Sequence, residues 1–172
     1  MKIILIGYMA SGKSLIGKEL AEFLKFDFID LDQFIEEKEG KTIQEIFSDK
    51  GEIFFRKIEH TYLIEVLSLK SNVVLSLGGG TPCFTNNLQL ILDNQNLKTF
   101  FLNVPINELS KRLMADKENR PLIQYVSSEN DMLEFVGKHL FERLQFYNQA
   151  NYKIDANKPK EDVVRDIISK LF

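Results

Sequence analysis

The stretch Gly7-Tyr8-Met9-Ala10-Ser11-Gly12-Lys13-Ser14 decides the fold. It follows the apolar run Ile3-Ile4-Leu5-Ile6 and leads into Leu15-Ile16-Gly17-Lys18-Glu19-Leu20-Ala21-Glu22-Phe23-Leu24, whose apolar residues recur at helical spacing. Gly-x4-Gly-Lys-Ser between a strand and a helix is the phosphate-binding P-loop. Glycines let the backbone wrap tightly, so that the amide N–H groups around Ala10, Ser11, Gly12 and Leu15 point inward at phosphate oxygens. The positive end of the following helix adds to that field. Lys13 is placed to reach the β- and γ-phosphates, and the Ser14 hydroxyl to ligate Mg2+.

Working outward, 172 residues suit one domain, read as spanning 1–172, with a substantial core. Apolar content of 44% and charged content of 27% are ordinary for a globular chain. A net charge of −3 argues against a nucleic-acid partner, which needs a basic face. No apolar run approaches the roughly 20 residues that cross a bilayer. The opening Met1 to Gly7 reads as a buried strand rather than a targeting leader. One cysteine, Cys83, excludes an internal disulfide framework and supports no metal cluster. The expectation is a cytoplasmic protein with no membrane partner.

Strands are expected over 2–6, 26–32, 72–77, 98–103 and 152–155, and helices over 13–25, 32–39, 43–49, 52–69, 86–94, 105–114, 129–149 and 160–171. Pro105 is tolerated in a first helical turn, and Gly40 and Gly51 are natural stops. The stretch 115–128 is polar and lacks clear periodicity. Strand and helix alternate, which predicts a parallel α/β sheet with right-handed crossovers. Ligands in such sheets sit at the carboxyl ends of the strands. Those ends carry the P-loop, Asp30 and Asp32, Gly78-Gly79-Gly80 and the region after Asn103.

Asp30 and Asp32 are expected to end the second strand with side chains on one face, since strand side chains alternate. One carboxylate can hold a Mg2+ shell and the other accept a proton from an attacking hydroxyl. Alternatively both cap the helix that follows. Arg56 is a charge on a solvated face, a partner for Glu59 at i+3, or a fork for a planar carboxylate, and position alone leaves all three open. Gly78-Gly79-Gly80 lets backbone approach a ligand closely. Arg120 reads either as an exposed loop arginine or as one that swings onto phosphates from a lid, and Arg143 is similarly ambiguous. His60 and His139 are too isolated for a metal site and read as surface or partly packed residues.

Together these motifs resemble the shikimate kinase family over nearly the whole chain. The likeness rests on Gly7 to Ser14, Ile29-Asp30-Leu31-Asp32, Ile43 to Phe47, Gly51-Glu52-x-x-Phe55-Arg56-x-x-Glu59, Leu77-Gly78-Gly79-Gly80, Arg120-Pro121-Leu122 and Arg143-x-x-x-Tyr147. The P-loop is shared with many NTPases, whereas the aspartate pair, Phe-Arg-x-x-Glu and glycine triplet are far more specific. The resemblance implies a three-layer P-loop kinase fold whose five-stranded parallel sheet has strand order 2-3-1-4-5. Substrate-binding helices would lie over about 32–60, with a mobile lid over about 115–128. It implies ATP-dependent phosphorylation of the 3-hydroxyl of shikimate, a step of chorismate and aromatic amino-acid biosynthesis, by a monomer using Mg2+.

By position, the resemblance makes Asp32 the shikimate-binding proton acceptor, with Lys13 and Arg120 as its catalytic partners. Ser14 and Asp30 would serve the metal, with Ser76 as a further contact through water. Arg56, Arg143 and Gly78, Gly79 and Gly80 would hold shikimate. Ala10 to Leu15, Arg112, Arg120, Asn157 and Lys158 would hold ATP. Leu15 stands where the family often has Thr, and Lys158 where an Arg is common; lysine neither stacks nor forks as arginine does. A gluconate kinase shares the loop and sheet, and its substrate is also a hydroxylated carboxylate. A GTPase-like switch is disfavoured, because Asn157-Lys158-Pro159-Lys160 lacks the aspartate that would read guanine.

Overall fold

Ile3 to Ile6 form the centre of the molecule, and all four side chains are fully buried. The computed structural model describes the backbone of residues 1–172 and every side chain except those of Asn119 and Pro121. Strand β1 (Lys2–Ile6) lies between β3 (Val73–Ser76) and β4 (Leu97–Asn103), with β2 (Asp27–Asp30) and β5 (Tyr152–Asp155) at the edges. The sheet is five-stranded and parallel throughout, in the order β2-β3-β1-β4-β5. Ile4 sits opposite Leu75 on one side and Thr99 on the other. Central strands covered on both faces are apolar without alternation, which is how Ile3–Ile6 and Val73–Leu75 read.

Helices α1 (Lys13–Leu24), α2 (Leu31–Glu39), α3 (Ile43–Ser68), α4 (Asn87–Leu92), α5 (Ile106–Ala115), α6 (Glu129–Tyr147) and α7 (Lys160–Leu171) flank the sheet. α1 packs closely because Gly17 has no side chain: a Cβ there would stand 2.4 Å from the Phe28 ring. The neighbouring strands β1 and β3 send their chains toward opposite edges of the sheet, so the loops that leave them open a crevice at the strand ends. No helix among the described residues is long and apolar enough to cross a membrane.

Two expectations change. The second strand stops at Asp30, because its Oδ1 accepts from the Asp32 amide at 3.2 Å and turns the chain into α2. Asp32 therefore lies in the first turn of a helix, and strand alternation does not explain its closeness to Asp30. The segments 43–49 and 52–69 stand as expected: α3 is two helical stretches separated by the non-helical Gly51 (φ 78°, ψ 173°), the first beginning in a capping box of Thr42 and Glu45. Pro105 stands just before α5 rather than in its first turn. Residues 115–128 contain short 3-10 turns at Lys117–Asn119 and Pro121–Ile123, and two apolar side chains there, Ile123 and Val126, are buried in the core. Their polar neighbours masked them in the sequence.

Candidate active site

The loop between β1 and α1 is held by its own backbone. Gly12 takes the left-handed conformation at φ 92°, immediately before the helix, and Ala10 takes it at φ 61°. The Ser11 amide donates to the Tyr8 carbonyl at 3.2 Å. Lys13 is buried beneath this turn and donates to the carbonyls of Gly7 and Tyr8 at 2.8 and 2.9 Å. Burial lowers its pKa to about 8, opposed by Asp32 and Asp30. The Ser11 hydroxyl is buried with no hydrogen-bond partner among the described residues. A buried donor left open in a ring of amides fits a phosphate oxygen.

Across the crevice, Ser14 donates to Oδ2 of Asp30 at 2.5 Å. Burial raises the Asp32 carboxyl to about 6, with Asp30 and Glu59 adding and Lys13 opposing. These groups line a cleft of about 310 Å3 together with Leu15, Ser76, Gly78, Gly79 and Arg120. Arg120 is paired with Asp116 at 2.8 Å, and Leu15 is exposed at the rim. Among the described residues no cluster of three or more His, Cys, Asp or Glu could hold a metal. What the chain offers a cation is the Ser14–Asp30 pair, which suits Mg2+, an ion that keeps waters and takes most other ligands from phosphates.

The glycine triplet also makes room within the chain itself. None of its residues has a left-handed backbone. Instead, a Cβ on Gly80 would stand 2.8 Å from the Arg56 guanidinium, and one on Gly78 would crowd Asp32. Gly79 is roomier, and its carbonyl accepts from the Tyr147 hydroxyl at 2.6 Å. The outer glycines thus make room for side chains of this chain, and Tyr147 fixes the middle one.

Arg56 pairs with Glu59 at 2.9 Å and lies over the Phe84 ring at 3.9 Å. Glu59 is only 1% exposed and also accepts from the Thr81 hydroxyl at 2.7 Å. The i+3 spacing pointed to this pair, but nothing in the sequence pointed to Thr81. Arg143, on α6, lies 5.9 Å from the Tyr8 ring and would be 3.6 Å from a Cβ at Gly79. Among the described residues it has no carboxylate within ion-pair distance. Arg56 and Arg143 therefore flank the triplet just outside the cleft wall.

Three candidates sit elsewhere. Arg112 pairs with Glu108 at 2.8 Å and donates to the Ala10 carbonyl at 3.2 Å, which places it on the outer side of the loop. Asn157 is exposed after β5, and Lys158 is held by Asp166 on α7. Of Arg120-Pro121-Leu122, the Pro121 side chain lies outside the described residues.

A parallel sheet in this order, with a P-loop at its central strand and an acid facing the loop lysine, defines the chain as a P-loop kinase. The family profile described as shikimate kinase matches residues 9–172. The shikimate kinase of Flavobacterium johnsoniae is 42% identical over 171 residues, covering 99% of this chain and 98% of that one. The crystal structure of shikimate kinase from Bacteroides thetaiotaomicron superposes with a TM-score of 0.91 at 38% identity, covering 99% and 98% of the two chains. That from Acinetobacter baumannii, in complex with shikimate, gives 0.83 at 32% identity, covering 99% and 92%. The chain belongs to the shikimate kinase family. A gluconokinase from Sinorhizobium meliloti, 18% identical with a TM-score of 0.57, shares the fold alone.

Proposed function

We propose that the chain transfers the γ-phosphoryl group of ATP to the 3-hydroxyl of shikimate, giving shikimate 3-phosphate and ADP in chorismate biosynthesis. The observation that carries this reading is the placement of Asp32 between Lys13 of the phosphate loop and the glycine triplet flanked by Arg56 and Arg143. A triphosphate on the loop and a carboxylate on the two arginines leave the acceptor hydroxyl beside Asp32.

In that arrangement Arg143, which has no carboxylate within ion-pair distance among the described residues, and Arg56 grip the shikimate carboxylate as forks. Asp32 takes the hydroxyl proton as the new O–P bond forms and the bond from the γ-phosphorus to the bridging oxygen breaks. Lys13 leaves the Gly7 and Tyr8 carbonyls for the phosphates, while Arg120 leaves Asp116 and adds charge from the 115–128 lid. Ser14 and Asp30, with Ser76 behind them, would hold Mg2+, which neutralises charge on the phosphate oxygens. Arg112, Asn157 and Lys158 would border the nucleotide base. The same reading makes residues 1–172 a single domain acting as a cytoplasmic monomer, without nucleic-acid or membrane partners.

The test is ADP release with ATP and Mg2+, comparing shikimate, gluconate and no acceptor, with Asp32→Asn alongside. Shikimate-dependent turnover that Asp32→Asn abolishes is expected. Turnover with gluconate alone would overturn the substrate, and equal turnover by Asp32→Asn would overturn the base.

A further inference from the structure

Tyr8 is the second residue of the phosphate loop, and its side chain is 1% exposed. Its hydroxyl lies 2.8 Å from Nδ1 of His139 on α6, and the two rings meet edge-on with centroids 5.5 Å apart. The backbone carbonyl of the same tyrosine receives Lys13, and the face of its ring carries Arg143, one turn beyond His139 on α6. One side chain therefore touches the helix that bears Arg143, while its main chain holds the phosphate-binding lysine. The contacts continue from His139 to Phe135 at 5.3 Å, and from Phe135 to Tyr125 of the 115–128 segment at 6.5 Å. Tyr8 and His139 do not line the cleft, so neither touches a reacting atom.

We propose that Tyr8 and His139 are a positioning pair: their hydrogen bond pins the first turn of the phosphate loop to α6, and so fixes Lys13 and Arg143 relative to each other. The roles of Lys13 and Arg143 rest on the functional reading above. Burial, reinforced by the Arg143 charge, keeps His139 neutral with a pKa lowered to about 4, so Nδ1 can accept the tyrosine proton. Burial also raises the Tyr8 hydroxyl, which therefore stays protonated and donates. The pair is a neutral, directional bond rather than an ion pair, and salt leaves it intact.

A double-mutant cycle tests it. Tyr8→Phe takes this partner from the half-buried His139 ring and His139→Leu takes it from the buried Tyr8 hydroxyl, and each should raise KM for both ATP and shikimate about tenfold, a size in keeping with a part-buried hydrogen bond left half made. The double variant should be no worse than either single one, because both partners are then gone. His139→Asn places an amide oxygen near the position of Nδ1 and should restore KM to within about twofold. Ile167→Val, a core change in α7, supplies a comparison of lowered stability with unchanged KM. Binding of a non-hydrolysable ATP analogue with Mg2+, followed by calorimetry, repeats the cycle without any acceptor. Failure of the wild type to phosphorylate shikimate would sink the functional reading while that arm still tests the pair. Additive single variants, no recovery by His139→Asn, or analogue binding unchanged in Tyr8→Phe would overturn the pair.

Discussion

A Cβ on Gly78 would stand 2.7 Å from Oδ1 of Asp32. The first glycine of the triplet is required by the carboxylate that occupies its place, not by its own backbone angles. Gly78→Ala should push Asp32 out of line and lower kcat by about 100-fold, the scale on which ångström misplacements act. Binding of an ATP analogue should remain within about twofold. Steady-state kinetics and calorimetry on the same preparation separate the two effects.

Asp32 titrates near 6, so kcat/KM for shikimate should fall as pH drops through that value. The stability consequence has the opposite sign from an ordinary ion-paired carboxylate. Between its unfolded value near 4 and its folded value near 6, the folded chain binds the extra proton, so this group favours folding more as pH falls. Above pH 6 it opposes folding. Asp32→Asn should therefore be inactive yet melt higher than the wild type at pH 7, with the gap closing by pH 4. Thermal melts across that range check it.

Burial lowers the Lys13 ammonium to about 8. A bound triphosphate stabilises the ammonium and raises that value. Binding of an ATP analogue at pH 8.5 should draw about one proton from the buffer, and at pH 6.5 almost none; affinity should weaken as pH rises through 8. Calorimetry in buffers of different ionisation enthalpy reads the proton count directly, and Lys13→Met should abolish the uptake.

Glu59 connects Arg56 to Thr81 from a buried position. Glu59→Ala should cost about 3–5 kcal/mol of stability, as expected when one partner of a buried pair is removed. Glu59→Gln keeps the shape and a hydrogen bond to Thr81 but loses the charge. Its mark should be a KM for shikimate raised about tenfold with KM for ATP unchanged.

That the sheet is parallel and covered on both faces was legible in residues 2–6 and 72–77, because buried parallel strands write uninterrupted apolar runs, whereas the strand order came only with the family resemblance. The P-loop was equally plain, since spacing and context coincide. The reason for the glycine triplet was not, because a missing side chain records space without saying who fills it, and Asp32 and Arg56 come from other elements. The helix that begins at Leu31 hid the true placement of Asp32: an Asp at the junction caps as readily as it ends a strand. His139 looked isolated because its partner, Tyr8, lies 131 residues away in the chain.

Burial of Ile123 limits how far Arg120 can travel. Three Cα-to-Cα steps separate them, and a chain stretched to its limit spans at most about 3.6 Å per residue. As long as Ile123 stays seated, the Arg120 Cα is confined to a radius of about 11 Å around that anchor. Its range is that of a short tether, and a change that unseats Ile123 would lengthen the tether without touching the arginine.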